Sequence, residues 1–80
     1  MNEKMEFRIK NVMSAVFEVP IDDIDDFSSS DNIMSWDSLK HMNLIIALEE
    51  EMELDFSENE ILRMTNYKII KKIIDSIEET

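Results

Sequence analysis

The chain has 80 residues, a formal net charge of -11, no cysteine and no glycine. At this length one hydrophobic core is available, so we predict a single domain spanning residues 1–80. The absence of cysteine excludes disulfides, thiolate metal sites and a cysteine nucleophile. The amino-terminal residues lack the apolar region of a signal peptide, and the longest aliphatic run, Leu44 to Leu48, is too short to cross a bilayer. We therefore expect a cytoplasmic protein.

Apolar residues at helical spacing near the amino terminus predict a first helix. Its apolar face consists of Met5, Ile9, Val12, Met13 and Val16 or Phe17. The helix should end near Glu18, because Pro20 restricts Val19 to extended backbone geometry. A long polar loop from Pro20 to Trp36 follows, with one short helical turn expected around residues 22–26. We expect its apolar residues to hold the loop against the core: Ile21, Ile24, Phe27, Ile33, Met34 and Trp36.

The second helix should begin at Asp37 or Ser38 and end near Glu53. Ser35 and Asp37 are both able to cap its amino terminus. One apolar stripe faces the core and consists of Leu44, Ile45, Leu48 and Met52. A partly separate face, which one small core cannot cover, consists of Leu39, Met42 and Ile46. We therefore predict an exposed apolar strip along this helix.

Two further helices are predicted after residue 56. Ser57 and Glu60 have the spacing of a capping box, so a short helix of about two turns should start there. Its apolar residues are Ile61, Leu62 and Met64. Thr65 or Asn66 can cap a last helix, whose apolar face consists of Ile69, Ile70, Ile73, Ile74 and Ile77. The chain is therefore predicted to be all-α, a small four-helix bundle of three main helices plus a short third helix, with a long loop between helices 1 and 2.

Acidic residues are concentrated around Ser38 and the helix that follows it. Residues 18–60 contain 14 acidic residues and only one lysine, Lys40. Such a surface repels nucleic acid and anionic lipid, and it speeds encounter with basic protein surfaces. We therefore expect partner proteins with basic surfaces, no nucleic acid, no membrane, and a monomer.

Ser38 lies in the first turn of the second predicted helix. A hydroxyl there is beside free backbone N–H groups and the positive end of the helix dipole, which suits a phosphate joined to its oxygen. A purely structural helix-start serine is the alternative. A hydrolase relay of Asp37, Ser38 and His41 is disfavoured, because these residues are too close in sequence and no glycine-rich nucleophile turn exists. We therefore expect no catalytic residues. The acidic run from Asp22 to Asp26 lacks the spacing of a calcium loop, so we expect no metal site either.

The segment Trp36-Asp37-Ser38-Leu39, followed by Leu44-Ile45-Ile46-Ala47-Leu48-Glu49-Glu50-Glu51, resembles the modification site of the acyl carrier protein family. The order of the predicted elements extends this resemblance over nearly the whole chain. It implies that Ser38 carries 4′-phosphopantetheine, moved from coenzyme A by a magnesium-dependent phosphopantetheinyl transferase. The protein would be a non-catalytic carrier that holds acyl or aminoacyl intermediates as thioesters for loading and acyl-transfer enzymes, as in fatty acid or polyketide biosynthesis. Its Trp36 and His41 are similar to those of freestanding carriers of specialised pathways.

The resemblance also implies a partner-recognition face around the modified serine. The candidate residues of that face are Trp36, Asp37, Leu39, His41, Met42, Ile46, Glu49 and Glu50. Trp36 can alternatively anchor the loop to the core, whereas His41 is expected to be solvated or to contact a partner. Ser35 stands where the family commonly has glycine, so the turn into the helix must be made differently. The alternative function is an unmodified acidic helical module that binds partners through the same helix.

Overall fold

Four α-helices make up most of residues 3–78, the part of the chain that this computed structural model describes. They are α1 (Glu3–Phe17), α2 (Ser38–Met52), α3 (Glu58–Arg63) and α4 (Tyr67–Glu78). One short 3-10 turn, Ile21–Asp23, interrupts the loop between α1 and α2, close to where a helical turn was predicted. The prediction of an all-α four-helix bundle with a short third helix and a long first loop is confirmed. The predicted domain limits, residues 1 and 80, lie outside the described residues.

The core is built from the faces that the helical periodicity predicted. The buried residues of the three main helices are Ile9, Met13 and Phe17 in α1, Leu44, Ile45, Leu48 and Met52 in α2, and Tyr67, Ile70, Ile73 and Ile74 in α4. Each such side chain contributes about 1.5–3 kcal/mol when it leaves water, so these contacts provide most of the stabilisation of the bundle. Met64, which follows α3, is also fully buried.

Side-chain caps begin the three later helices. The Asp37 side chain accepts a hydrogen bond from the Lys40 N–H at the start of α2. The predicted capping box of Ser57 and Glu60 is present with both of its hydrogen bonds. Asn66, rather than Thr65, caps α4, since its Oδ1 accepts from the Ile69 N–H at 2.8 Å. These caps satisfy N–H groups that have no partner within the helix, and they fix where each helix begins.

The long loop is held in place mainly by backbone hydrogen bonds to the junction of α3 and α4. The Ser30 N–H donates to the Thr65 carbonyl at 2.9 Å, and the Tyr67 N–H donates to the Ser28 carbonyl at 2.9 Å. Ser28 is buried, and its hydroxyl accepts from the Asp25 N–H at 2.9 Å. These bonds satisfy backbone groups of residues 28–30, which lie outside the helices and the 3-10 turn.

Of the six apolar loop residues predicted to hold the loop against the core, the prediction is confirmed for Ile24, Ile33 and Trp36 and wrong for Phe27 and Met34. Ile24 and Trp36 are buried, and Ile21 and Ile33 are partly buried. Phe27 and Met34 are 84% and 101% exposed. The physical reason is that backbone bonds to residues 65–67 already hold the loop, so these two side chains are not needed as anchors.

The chain has no glycine, and glutamates occupy the two left-handed positions among residues 3–78. Glu18, directly after α1, has a φ of 57°, and Glu53, directly after α2, has a φ of 54°. A side chain with a Cβ is strained in this conformation, which is why glycine commonly ends helices. Both helices therefore end at some energetic cost.

Glu53→Gly should stabilise the protein relative to Glu53→Ala by about 1 kcal/mol, because glycine adopts the left-handed conformation without steric strain. The comparison with alanine removes the effect of the lost charge. The difference is measured from urea unfolding curves of the two variants. Equal stabilities would show that the backbone at residue 53 relaxes out of the left-handed region.

Lys71 of α4 links three parts of the fold. Its Nζ donates to Asp26 Oδ1 in the loop at 2.6 Å and to Glu6 Oε1 in α1 at 3.2 Å, and it lies 4.6 Å from the centre of the Tyr67 ring. The hydrogen bond from Lys71 lowers the pKa of Asp26, and the same bond raises the pKa of Lys71. Burial raises the pKa of the Tyr67 phenol to about 12. The loop is thus joined to α1 and α4 by an ion pair as well as by backbone bonds.

The lowered pKa of Asp26 predicts an acid-dependent contribution to stability. A carboxyl group whose pKa is depressed in the folded state stabilises the fold above its unfolded pKa, and it loses this contribution as the pH falls through the folded value. The melting temperature should therefore fall less steeply below about pH 4 in Asp26→Asn than in the wild type. Circular dichroism melts from pH 6 to pH 2 (about one unit apart) measure this. Asp31→Asn, at another exposed loop acid, is the control and should retain the wild-type slope.

Candidate functional site

Ser38 is the first residue of α2, and its side chain is exposed. The Asp37 Oδ1 before it accepts from the Lys40 N–H at 2.8 Å, and the Asp37 carbonyl accepts from the His41 N–H at 2.8 Å. Among residues 3–78, no partner hydrogen-bonds to the Ser38 hydroxyl. At a helix start the first N–H groups have no partner within the helix, so those of Ser38 and Leu39 are free to donate to an anionic group attached at this end. The hydroxyl is therefore accessible and lies beside donors suited to an anion.

An apolar groove lies next to Ser38, between α2 and α3. Its volume is about 420 Å³, and the residues around it include Trp36, Ser38, His41, Met42, Ile61 and Leu62. Asp37, which caps α2, stands at the same edge. The groove is open to solvent at the point where the Ser38 hydroxyl is accessible, so a chain attached to this oxygen could lie along it.

The apolar strip predicted on α2 is exposed, and α3 extends it. Leu39, Met42 and Ile46 are all exposed. Leu62 of α3, which the sequence analysis named as an apolar residue of that helix but not as part of the exposed strip, is 75% exposed and lies at the same groove. The sequence spacing could have indicated this. Leu62 and Met64 are two residues apart and lie on different faces of the short helix, so if Met64 is in the core, Leu62 is exposed. We call these four residues the apolar strip.

Trp36 was predicted to be a partner-recognition residue, and the structure corrects this. Its side chain is only 6% exposed and stacks on the Phe17 ring, with 4.6 Å between ring centres. It is therefore a core residue that fixes the end of the long loop against α1, the alternative that its aromatic character had left open. Its remaining exposed part borders the groove beside Ser38 and does not form an exposed surface of its own.

His41 was predicted to be solvated or to contact a partner, and it does neither with its ring nitrogens. The indole Nε1 of Trp36 donates to His41 Nδ1 at 3.0 Å, and His41 Nε2 lies 2.8 Å from the Ile61 carbonyl oxygen. An indole N–H only donates and a carbonyl only accepts, so Nδ1 must be unprotonated and Nε2 must carry the hydrogen. His41 is thus a neutral link between the loop, α2 and α3. It forms one wall of the groove.

The acidic residues of the predicted face differ in their surroundings. Glu50 is exposed, whereas Glu49 is partly buried and its Oε2 accepts from the Phe56 N–H at 3.0 Å. Asp37 is exposed but caps α2. Glu49 therefore holds the connection between α2 and α3, and Glu50 is the acid on this face with no such structural bond among residues 3–78. Part of the acidic pattern supports the fold rather than facing a partner.

Ser35 solves the turn into α2 without glycine. Its hydroxyl donates to the Phe17 carbonyl at 2.8 Å, and its own carbonyl accepts from the Asp37 N–H at 3.1 Å. These two bonds anchor the turn to the end of α1, which also satisfies one of the helix carbonyls that has no partner within α1. Hydrogen bonds of Ser35 therefore fix the turn before Ser38, at the position where the acyl carrier protein family commonly has glycine.

No protein-family model matches the chain. Among the described residues, His, Asp and Glu side chains form no cluster of three or more suited to a metal ion. In the same span of 3–78, every helix is too short or too polar to cross a bilayer.

Neutral His41 is expected to be the Nε2–H tautomer, because both of its hydrogen-bond partners require it. A long-range ¹H–¹⁵N spectrum of the neutral imidazole measures this directly. His41→Ala should lower the free energy of unfolding by about 1–3 kcal/mol, since it leaves the Trp36 N–H buried without a partner. Ser30→Ala, at an exposed residue of the same groove, is the control. An Nδ1–H tautomer would contradict the link.

Proposed function

We propose that this protein is a non-catalytic carrier that holds acyl or aminoacyl groups as thioesters on a 4′-phosphopantetheine arm attached to Ser38. The observation that carries the proposal is the accessible Ser38 hydroxyl at the start of α2, directly after the Asp37 cap. The apolar groove and the apolar strip beside it support the same function. The resemblance of the segment from Trp36 to Leu39 to carrier modification sites agrees with this geometry.

The residues around Ser38 fit the proposed arm. The first N–H groups of α2 and the positive end of its dipole favour a phosphate on the Ser38 oxygen. The groove beside it is apolar enough to contact a flexible chain, and its open side leaves the end of that chain free to reach another protein. When bound, the arm supplies a thiol, which the chain itself lacks because it has no cysteine.

Attachment of the arm requires a separate enzyme. We assign this step to a magnesium-dependent phosphopantetheinyl transferase acting on coenzyme A. A bond forms between the Ser38 oxygen and phosphorus as the pyrophosphate bond of coenzyme A breaks, and the adenine nucleotide leaves. Asp37 and the hydrogen-bonded link of Trp36 and His41 would position Ser38 for this reaction without taking part in it.

The apolar strip and the acids near it suit brief contacts with several partner enzymes. A small apolar surface gives modest affinity, whereas the strong negative charge speeds encounter with basic surfaces. Met42, at the centre of the strip, is a flexible side chain able to contact surfaces of different shape. A carrier must leave each enzyme for the next, so fast and weak binding is the useful combination.

A second candidate function is an unmodified helical interaction module. The observation that favours it is the apolar strip, because Leu39, Met42, Ile46 and Leu62 are exposed whether or not Ser38 is modified. A module of this kind would bind basic partners through the same surface. The two functions differ only in whether Ser38 receives an arm.

Incubation with coenzyme A, magnesium and a broad-specificity phosphopantetheinyl transferase should add the mass of one phosphopantetheine group. The gain should be absent in Ser38→Ala, because the acceptor oxygen is removed. Intact-protein mass spectrometry measures both results. Ser30→Ala, at an exposed serine of the same groove, is the matched control and should still be modified.

An unchanged mass of the wild type, or a mass gain that persists in Ser38→Ala, would count against the carrier. The first result would favour the unmodified interaction module. Circular dichroism of both variants before the reaction verifies that they are folded.

A further inference from the structure

A hollow larger than the Ser38 groove lies along the loop between α1 and α2. Its volume is about 630 Å³. Its apolar wall consists of Phe17, Val19, Phe27, Ile33 and Met34. Ser35 also lies in the wall, and it is the wall residue nearest to Ser38 in sequence. We call it the loop hollow. None of its wall residues belongs to the apolar strip.

Two of these residues, Phe27 and Met34, are almost fully exposed although they belong to a well-bonded loop. The Phe27 N–H donates to Asp25 Oδ1 at 2.9 Å, and Asn32 Nδ2 donates to the Phe27 carbonyl at 2.7 Å. The Ser29 N–H in turn donates to Asn32 Oδ1 at 2.9 Å. The backbone that carries Phe27 is therefore ordered before any partner binds, which lowers the entropy lost on binding.

The surroundings of the loop hollow are acidic. From Asn11 to Leu39 the chain has seven acidic residues and no lysine, arginine or histidine. Glu18, Asp23 and Asp25 lie in the wall of the hollow itself. Glu18 is paired with Lys40 of α2 at 3.9 Å, so Asp23 and Asp25 are the wall acids that face a partner's cations. An apolar surface with this rim is complementary to a segment with an apolar centre and basic flanks, and it repels anionic lipid and a second copy of this chain.

We propose that the loop hollow is a docking surface for a basic amphipathic segment of a partner protein. Apolar side chains of that segment contact Phe27 and Met34, and its lysine or arginine side chains contact the acidic rim. Aromatic residues and methionine are enriched at protein interfaces relative to the rest of the protein surface. This surface is distinct from the apolar strip, and it requires no modification of Ser38.

The loop hollow is close to Ser38 along the chain. Ser35, in its wall, precedes Ser38 by three residues, so their Cα atoms are at most about 11 Å apart. A partner bound at the hollow is therefore held near the start of α2 while the apolar strip stays accessible. Two proteins could then contact this small domain on different surfaces.

The test uses the unmodified chain and a synthetic amphipathic peptide of leucine and lysine, about 18 residues long. In a ¹H–¹⁵N titration at low salt, residues 18–35 should shift together with one dissociation constant, which is read separately from any shifts at the apolar strip. Replacing Phe27 and Met34 together by serine should raise the dissociation constant roughly tenfold. Phe7→Ser, at an exposed phenylalanine of α1 outside the hollow, is the matched control and should leave it unchanged. Circular dichroism verifies that each variant is folded.

Three further measurements test whether the acidic rim contributes to binding and whether binding is independent of Ser38. Asp23→Asn with Asp25→Asn should weaken binding several-fold at low salt and less at high salt, because added ions screen the acidic rim. An otherwise equal peptide of leucine and glutamate should not bind. Ser38→Ala should bind like the wild type, which separates this proposal from the carrier function.

The proposal is overturned if the shifts are confined to residues 38–50 or if the double serine variant binds as tightly as the wild type. It is also overturned if the leucine and glutamate peptide binds equally well. Concentration-dependent self-association in sedimentation experiments, lost in the double serine variant, would assign the surface to a second copy of this chain and would likewise refute it.

Discussion

The hydrogen bonds from Trp36 to His41 and from His41 to the Ile61 carbonyl are the interactions on which the arrangement around Ser38 depends. They connect the end of the long loop, the first turns of α2 and the short helix α3. Trp36 also stacks on Phe17, so the same chain of contacts extends into α1. Because α3 has only six residues, it cannot bury a large apolar face, and a directed polar bond specifies its position. The groove beside Ser38 therefore has walls with a defined separation.

The lack of glycine determines how the chain makes its turns. Glutamates take the left-handed conformations after α1 and α2, and the Ser35 hydroxyl anchors the turn before Ser38 to the end of α1. Within the loop, side chains of Asp25 and Asn32 bond to the backbone of Phe27. Side-chain bonds to backbone groups thus replace the backbone freedom of glycine. The loop is held in place by these bonds, and within it Phe27 and Met34 are exposed whereas Ile24 and Trp36 are buried.

The two proposed binding surfaces are distinct but have a similar composition and lie close together in sequence. The apolar strip and the loop hollow both combine exposed apolar side chains with surrounding acids, and only residues 36–38 separate Ser35 of the hollow from Leu39 of the strip. Both would recruit basic partners quickly and hold them weakly. A carrier that meets a modifying enzyme and several acyl-transferring enzymes requires such contacts, and so does an unmodified interaction module. The two functions differ in whether Ser38 is modified, and the shape of the two binding surfaces does not distinguish them.

The sequence by itself determined the helices, their caps and their inner faces, because periodicity and capping act between residues a few positions apart. It also identified the accessible Ser38 and the exposed Leu39, Met42 and Ile46 for the same reason. Only the tertiary structure decided the surroundings of Trp36, His41 and Phe27. The carbonyl that accepts from His41 is 20 residues away, and the bonds that hold the loop come from residues 65–67. Such contacts depend on how separate helices pack, and a local sequence pattern does not predict which distant backbone group will lie beside a given side chain.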